Sequence, residues 1–367
     1  MAAGPATRYV TLSEDVAPGL TLERVVDEAT PRRIFVLRLD PTARTTFDLA
    51  LAGKRMPFMA TLSEIVKRTH AIAAVNGDFG TTGPGRPVHP FAMDGDLVQT
   101  AFQNVGMFGV SRDGKYGFLG EDVPVVTIKT PGGTFTVDRW NRGAPMEGEI
   151  AGFTSVAGEL DPVTGDACAV RLLPKGGATA GKEDGVVRSY RVAARACDSR
   201  PLDRKGGVVL VAQPGSDEAA ELLSLIPGTE VRLHWTLGWK GVFDAIGGGP
   251  VLVWGGEIVL GDCTQSVCGP APRTGVGITA DGTVLLVVVD GRRSGWSVGP
   301  SLAEFAQIML DLGAVKAMNL DGGGSSQMIV DGQTVNQPAD DVERGITNAV
   351  VLLDGADPGE PPRGGGG

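Results

Sequence analysis

The sequence predicts an α+β fold: a strand-rich mixed sheet core with two main helices and a β-rich insertion. Short runs in which apolar and polar residues alternate, as they do in strands, recur along most of the chain. Residues 61–70 and 301–313 instead begin with a capping box and space their apolar residues as amphipathic helices do. With 367 residues, 42% of them hydrophobic, the chain is long enough to bury a sizeable core.

The elements of the first two thirds follow from these patterns. Strands are predicted within residues 8–50, and the first helix begins at Thr61, whose capping partner is Glu64. Residues 105–245 contain many short strand-like runs with one helix-like segment at 217–228. This middle part is predicted to be an insertion and not an independent unit.

The last third is the most strongly patterned part of the chain. Gly255–Gly256 and Asp281–Gly282 each join two apolar runs, which predicts two hairpins. The second helix begins at Ser301 and ends at Gly313, and a strand, a glycine turn and a second strand follow within 314–332. The predicted organisation is then the N-terminal part of the core at 1–104, the insertion at 105–245, the C-terminal part of the core at 246–354 and a flexible tail at 355–367.

Composition and charge exclude several classes of function. The formal net charge of −10 argues against general binding of nucleic acid, which needs clustered Lys and Arg. No apolar run reaches the roughly 18–20 residues of a membrane span. We therefore expect no nucleic-acid partner and no membrane span, and we leave the oligomeric state open.

Four cysteines allow three disulfide pairings. The local pairing, Cys168–Cys197 with Cys263–Cys268, closes loops between predicted strands. Disulfides are favoured over buried free thiols, and they imply a secreted or cell-surface protein. A cysteine-based zinc site is not expected, because no CxxC pair is present and the chain has only three histidines.

The segment NLDGGGSS at 319–326 is the strongest candidate for a functional site. Asn319 and Asp321 share one face of a strand because side chains alternate with a period of two. Gly322, Gly323 and Gly324 permit a turn whose N–H groups can bind an anion, together with Ser325. The alternative is a tight turn in which Asp321 bonds its own backbone.

A second segment, NGDFG at 76–80, has the same organisation. Each segment follows a capped helix and an apolar strand, and each ends in Asn-x-Asp and a glycine turn. We interpret them as a pseudo-repeat that delivers Asn76, Asp78, Asn319 and Asp321 to one cleft. Chance similarity of two ordinary helix–strand segments is the alternative.

Further charged residues lie at the ends of apolar strands. Asp290 and Arg292 follow the run VVV at 287–289, Arg273 precedes the adjoining strand, and Arg344 lies just before the final strand. Arginines suit bidentate contacts to phosphate or carboxylate, and a surface ion pair is the alternative for each. His89 is isolated in the sequence and is predicted to be a structural or surface residue.

The motifs resemble those of the phosphodiester glycosidase family. The matching stretches are NGDF at 76–79, IGGGPVLVWGG at 246–256, PRTGVGI at 272–278, VVDGR at 288–292, 301–326 and R-x-x-x-NAVV from Arg344. The chain departs from many relatives at Gly80, where they have an aromatic residue, and at Ala271, where they have His.

The resemblance implies hydrolysis of a sugar linked through its anomeric carbon to a phosphodiester. It implies a small-molecule or glycan substrate and no cofactor, with a structural calcium as an alternative. Catalytic aspartates would be Asp321, Asp290 and Asp78. The substrate-binding candidates are Asn76, Arg273, Arg292, Asn319, Gly322, Gly323, Gly324, Ser325 and Arg344.

Two other functions stay open at this point. A metal-dependent phosphodiesterase would cut the P–O bond and use Asp78, Asp290 and Asp321 as metal ligands. A noncatalytic sugar- or phosphate-binding module could use the same scaffold. No Walker A, GxSxG or HExxH motif supports a different class of enzyme.

Overall fold

The computed structural model describes residues 9–27, 30–81, 85–101, 105–115, 117–158, 166–176, 179–180, 184–198, 202–261 and 266–355. Within these ranges the α-helices are Leu62–Thr69 (α1), Asp217–Ser224 (α2) and Leu302–Asp311 (α3), beside twenty-seven strands. The protein is therefore mainly β, and the predicted α+β class is wrong. No helix of the described part is long and apolar enough to cross a membrane.

The strands form four sheets. Sheet A has the order β1 (Tyr9–Ala17), β2 (Leu20–Asp27), β3 (Arg32–Leu39), β23 (Val284–Val289), β22 (Arg273–Thr279), β24 (Ala314–Asn319), β20 (Val251–Trp254), β21 (Glu257–Ile258). Sheet B has the order β11 (Gly133–Val137), β10 (Val125–Thr130), β18 (Glu230–Thr236), β16 (Val186–Asp198), β14 (Ala167–Pro174), β17 (Val208–Ala212), β13 (Ala151–Thr154), β12 (Arg139–Trp140), with β15 (Thr179–Ala180) beside β16. Sheet C has the order β7 (Asp96–Gln99), β6 (Phe91–Met93), β19 (Val242–Gly248), β8 (Val105–Ser111), β9 (Gly117–Asp122). Sheet D has the order β26 (Gln333–Thr334), β25 (Met328–Val330), β5 (Ala73–Asn76), β27 (Asn348–Leu353), β4 (Thr46–Leu51).

The error in fold class has a physical cause. Both predicted helices exist, and the capping boxes at Thr61 and Ser301 are present. A capping box determines only where a helix begins, whereas the number of sheet layers depends on long-range strand pairing. Each helix covers one sheet face and leads into an antiparallel strand, so no parallel crossover arises. Among the described strands, only β12 and β13 pair in parallel.

Sheets A, C and D surround one apolar core. Buried side chains from all three sheets meet there, including Leu37, Leu286, Phe108, Phe47 and Val350. The outer face of sheet A packs against α3, and the outer face of sheet D packs against α1. The core thus holds the ends of β5 and β24 near each other.

Sheet B packs on the outer face of sheet C through a second core, to which Trp235 and Met107 contribute. Its strands all lie within the predicted insertion, although the domain boundaries themselves stay a prediction. The predicted disulfide Cys168–Cys197 is confirmed, and it joins directly opposite residues of β14 and β16. Cys268 is also disulfide-bonded, and Cys263, its expected partner, lies outside the described residues.

Candidate active site

A cavity of about 220 Å³ opens at the ends of β5 and β24. Its walls come from the loop after β5, the turn after β24 and the loop before β27. The side chains with chemistry suited to a substrate are Asp78, Asp321, Ser325 and Arg344. The structure therefore brings one aspartate from each half of the proposed pseudo-repeat to the same cavity.

Hydrogen bonds join the two halves directly. The Asp321 N–H donates to the Gly77 carbonyl at 2.9 Å, and Asn76 Nδ2 donates to the Asp321 carbonyl at 2.7 Å. Asn76 Oδ1 accepts from the Thr274 hydroxyl at 2.7 Å and from the Gln327 N–H at 3.2 Å. Asn76 is fully buried and does not line the cavity, so its contacts favour a structural role.

Asp321 carries a carboxyl group suited to accepting and releasing protons. Burial raises the pKa of Asp321 to about 6, and the negative charge of Asp78 adds to this rise. A hydrogen bond from the Ser325 hydroxyl lowers the pKa, as do the Gly322 N–H and the charge of Arg344. Such a group is a stronger base than an ordinary aspartate.

Asp78 lies at the floor of the cavity and is 1% exposed. Its Oδ1 accepts from the Phe79 N–H at 2.7 Å and contacts His89 Nδ1 at 2.5 Å. Its Oδ2 accepts from the His89 N–H at 2.7 Å. Burial raises the pKa of Asp78, and the hydrogen bonds and charge of His89 oppose this rise. His89 therefore orients Asp78.

The sequence analysis missed two residues that hold Asp78 in place. Besides His89, Asn348 at the start of β27 accepts from the Asp78 N–H through Oδ1 at 2.7 Å. The signal for Asn348 was available, since it is a polar residue opening the apolar run AVVLL. His89 follows Asp78 by eleven residues in no recognisable pattern, and only the fold brings them together.

The glycine turn makes room for charged side chains. Gly323 has a φ of +64°, which residues with a Cβ rarely adopt. A Cβ on Gly324 would overlap both Asp340 Oδ2 and Arg344 Nη2. The turn thus accommodates an ion pair between Arg344 and Asp340, at 2.5 Å.

The predicted anion-binding N–H groups of this turn are partly used by the protein itself. The Gly323 N–H donates to the Pro272 carbonyl at 2.9 Å, and the Gly322 N–H bonds the Asp321 carboxylate. The prediction that all three glycines present donors to substrate is therefore not supported for these two.

The two arginines near the turn differ in their surroundings. Arg292 is exposed, and its guanidinium lies 3.2 Å from the position that a Cβ of Gly323 would occupy. Arg273 is buried and donates to the carbonyls of Val267 at 2.8 Å and Gly269 at 2.5 Å. Burial lowers the pKa of Arg273 to about 10, and the charge of Arg292 contributes. Arg292 is thus the better placed to meet a ligand.

Asp290 lies outside the lining of this cavity. Its Oδ2 accepts from Trp296 Nε1 at 2.8 Å, and its Oδ1 accepts from Asn336 Nδ2 at 2.9 Å and from the Gln337 N–H at 3.1 Å. Burial raises the pKa of Asp290, although these hydrogen bonds oppose the rise. The catalytic role of Asp290 stays a prediction, and the geometry favours an anchor for the loop at 336–337.

Asn319 does not line the cavity, whereas Asp321, two residues further on, does. The Asn319 Nδ2 donates to the Gly249 carbonyl at 3.0 Å, while its buried Oδ1 has no hydrogen-bond partner among the described residues. A substrate-binding role of Asn319 stays a prediction.

Residues 179–353 match the model of the phosphodiester glycosidase family, which confirms the resemblance seen in the motifs. This range includes Asp321, the glycine turn and Arg344, but not Asp78.

Individual relatives match shorter stretches. The SPbeta prophage-derived uncharacterized protein YomE of Bacillus subtilis (strain 168) is 37% identical over 81 residues, which are 22% of this chain and 12% of that protein. The N-acetylglucosamine-1-phosphodiester alpha-N-acetylglucosaminidase of Bos taurus is 38% identical over 68 residues, which are 18% of this chain and 12% of that protein. The matches thus span about an eighth of each curated relative.

One solved structure shows the same fold over nearly the whole chain. A hypothetical protein from Synechocystis superposes with a TM-score of 0.73 at 20% sequence identity. The superposition covers 95% of this chain and 64% of that one.

Proposed function

We propose that this protein is a hydrolase that releases a sugar from a sugar-1-phosphodiester by breaking the C–O bond at the anomeric carbon. The observation that carries the proposal is a pair of carboxyl groups, from the buried Asp78 and the half-buried Asp321, that line one cavity with Arg344. The family match supports the proposal, as does the relative from Bos taurus, whose name describes this chemistry.

The phosphate is the leaving group in this proposal. Arg344 lines the cavity and Arg292 lies beside the glycine turn, so both guanidinium groups can contact phosphate oxygens. A phosphomonoester has a second pKa of about 6 and leaves with little protonation. The site therefore needs cations at the phosphate more than it needs a strong general acid.

Asp321 is the proposed general base. Its carboxylate takes a proton from water as the water oxygen forms a bond to the anomeric carbon. The bond from that carbon to the phosphate oxygen breaks, and its electron pair leaves with the phosphomonoester. A carboxylate at this position also stabilises positive charge that develops on the sugar ring.

Asp78 acts on Asp321 through its charge. His89 and the Phe79 N–H hold the Asp78 carboxylate in one orientation. The negative charge of Asp78 raises the pKa of Asp321 and so makes it a better proton acceptor.

The substrate is a small molecule or a glycan. The protein is secreted or acts at the cell surface. Localisation is supported by the disulfide Cys168–Cys197, a bond that forms and persists in oxidising compartments.

The proposal is tested by sugar release from a panel of α-glycosyl-1-phosphodiesters in ¹⁸O-labelled water. We expect free sugar that carries the label, and unlabelled phosphomonoester. Asp321→Asn should lower kcat by about a hundredfold or more. The matched control is Asp331→Asn, an exposed aspartate in the turn between β25 and β26.

The same experiment separates the alternatives. Label in the phosphate, with activity lost in EDTA, would support a metal-dependent phosphodiesterase. Among the described residues, no three or more His, Cys, Asp or Glu side chains are arranged to hold a metal ion. Binding of the phosphodiesters without turnover would support a noncatalytic module.

A further inference from the structure

A second and larger cleft lies beside the cavity. It has a volume of about 510 Å³ and is lined by the segment between β26 and β27, together with Arg293 and Gln327. Of the residues in this segment, only Arg344 was predicted from the sequence to bind substrate. We call it the outer cleft.

The Asp340–Arg344 ion pair forms the boundary between the two spaces. Asp340 lines the outer cleft, Arg344 lines the cavity, and the two side chains are 2.5 Å apart. Both rest against Gly324 of the turn that carries Asp321. A phosphate held by Arg344 would therefore have the cavity on one side and the outer cleft on the other.

The lining of the outer cleft is polar and carries no aromatic side chain among the residues described there. The exposed side chains of Thr334 and Gln337 contribute a hydroxyl and an amide group to it, whereas the Asn336 amide bonds Asp290 and the Met328 N–H. Such groups suit a ligand with hydroxyl groups more than an apolar one. A lipid tail or an aromatic group would find little apolar surface there.

The charges of the outer cleft are mainly negative. Asp340, Asp341 and Glu343 line it, against the single cation Arg293 within the described part of its wall. The Arg293 guanidinium donates twice to the Pro338 carbonyl, at 3.0 and 2.7 Å, and lies 3.9 Å from Asp341. An anionic ligand would meet more repulsion than attraction.

We propose that the outer cleft binds the alcohol half of the phosphodiester and selects a neutral or cationic alcohol over an anionic one. This inference rests on the proposed function, because the cleft acts on the group that leaves with the phosphate. The sugar then occupies the cavity, and the phosphate lies at Arg344 between the two. The acidic side chains act as specificity determinants and take no part in bond breaking.

The test compares two substrates that share one sugar and differ in a single charged group. One substrate carries glycerol on the phosphate, and the other carries glycerate. A third substrate, which carries only a methyl group on the phosphate, measures turnover when the outer cleft is empty. The measured quantity is the ratio of kcat/KM for glycerol to that for glycerate. The native chain should favour glycerol by about fivefold to tenfold, since a carboxylate a few ångströms from the ligand contributes about fivefold and Arg293 offsets part of the charge of Asp341.

The double variant Asp341→Asn, Glu343→Gln should bring the ratio down to about one to three. The Glu343→Gln change retains a side-chain oxygen to accept from the Ser63 N–H, which Glu343 binds at 2.8 Å. Asp331→Asn, which lies outside the lining of the cleft, should leave the ratio at its native value. High salt should lower the native ratio as the double variant does, because exposed charges are screened.

The outcomes separate this inference from the proposed function. No hydrolysis of any of the three substrates would overturn both. Hydrolysis of the methyl substrate with a native ratio near one, or with the same ratio in the double variant, would overturn the outer-cleft assignment and leave the proposed function standing.

Discussion

Asp78→Asn should move the acid limb of the pH–activity profile to lower pH. The substitution removes a negative charge that raises the pKa of Asp321. It keeps one side-chain oxygen to accept from the Phe79 N–H, while an amide nitrogen replaces the oxygen that accepts from the His89 N–H. Without that charge the ionised form of Asp321 is favoured, so the active carboxylate persists to lower pH. The pKa of Asp321 is raised from 3.8 to about 6, and burial is the largest cause. Asp78 therefore accounts for less than half of the rise, and the limb should move by about half a unit to one unit.

The assay is kcat for release of phosphomonoester across the range from acidic to mildly alkaline pH. The limb of the native chain belongs to the interacting pair of carboxyl groups, whereas the limb of the variant belongs to Asp321 alone. Asp331→Asn serves as the control and should keep the native limb. A limb that stays in place or moves to higher pH in Asp78→Asn would refute the assignment of Asp321 as the base.

Three further predictions concern stability. Burial raises the pKa of Asp48 from 3.8 to about 6; its protonation therefore stabilises the fold at low pH, and this stability is lost as pH rises through about 6. Asp48→Asn should therefore raise the free energy of unfolding at neutral pH by up to about 3 kcal/mol. Urea titrations at several pH values should show that this free energy depends less on pH in the variant than in the native chain. An equal pH dependence in the two proteins would contradict the prediction. Asp290→Asn should lower Tm, with a cost of about 1–3 kcal/mol from the unpaired Trp296 donor, and should retain sugar release; lost turnover at an unchanged Tm would instead show a catalytic Asp290. Replacing Cys168 and Cys197 by Ser should cost about 3–4 kcal/mol in denaturant unfolding under oxidising conditions, and an unchanged midpoint would exclude a stabilising role of the disulfide.

Local signals predicted local structure correctly. The helices at 61–70 and 301–313 follow from capping boxes, and the hairpin turn at Gly255–Gly256 follows from two adjacent glycines. These features depend on a few neighbouring residues, so a sequence contains all that determines them. The sheet layers depend on which distant strands pair, and the fold class was predicted wrongly for that reason.

In the candidate site, too, local features could be predicted from the sequence and long-range contacts could not. Asp78 and Asp321 were recognisable because each follows an apolar strand and lies in a glycine-rich turn. Asp290 has the same sequence context, yet Trp296 and Asn336 enclose its carboxylate. Whether a strand-end aspartate faces a cavity or a loop depends on segments far away in sequence. His89 was predicted to be a structural or surface residue and was not linked to Asp78, because only folding places the two side chains together.

The hydrogen bonds that join the two halves of the cavity have a consequence for biosynthesis. Asp78 and Asp321 are separated along the chain by the whole of sheets B and C, so a ribosome completes Asp78 long before its partner exists. The emerging chain can form the early strands, but it holds no complete cavity until β24 and β27 pair with the rest. Contacts of such long sequence separation form slowly. The proposed hydrolytic activity should therefore appear only after β27 has been synthesised and has paired with the rest of the chain.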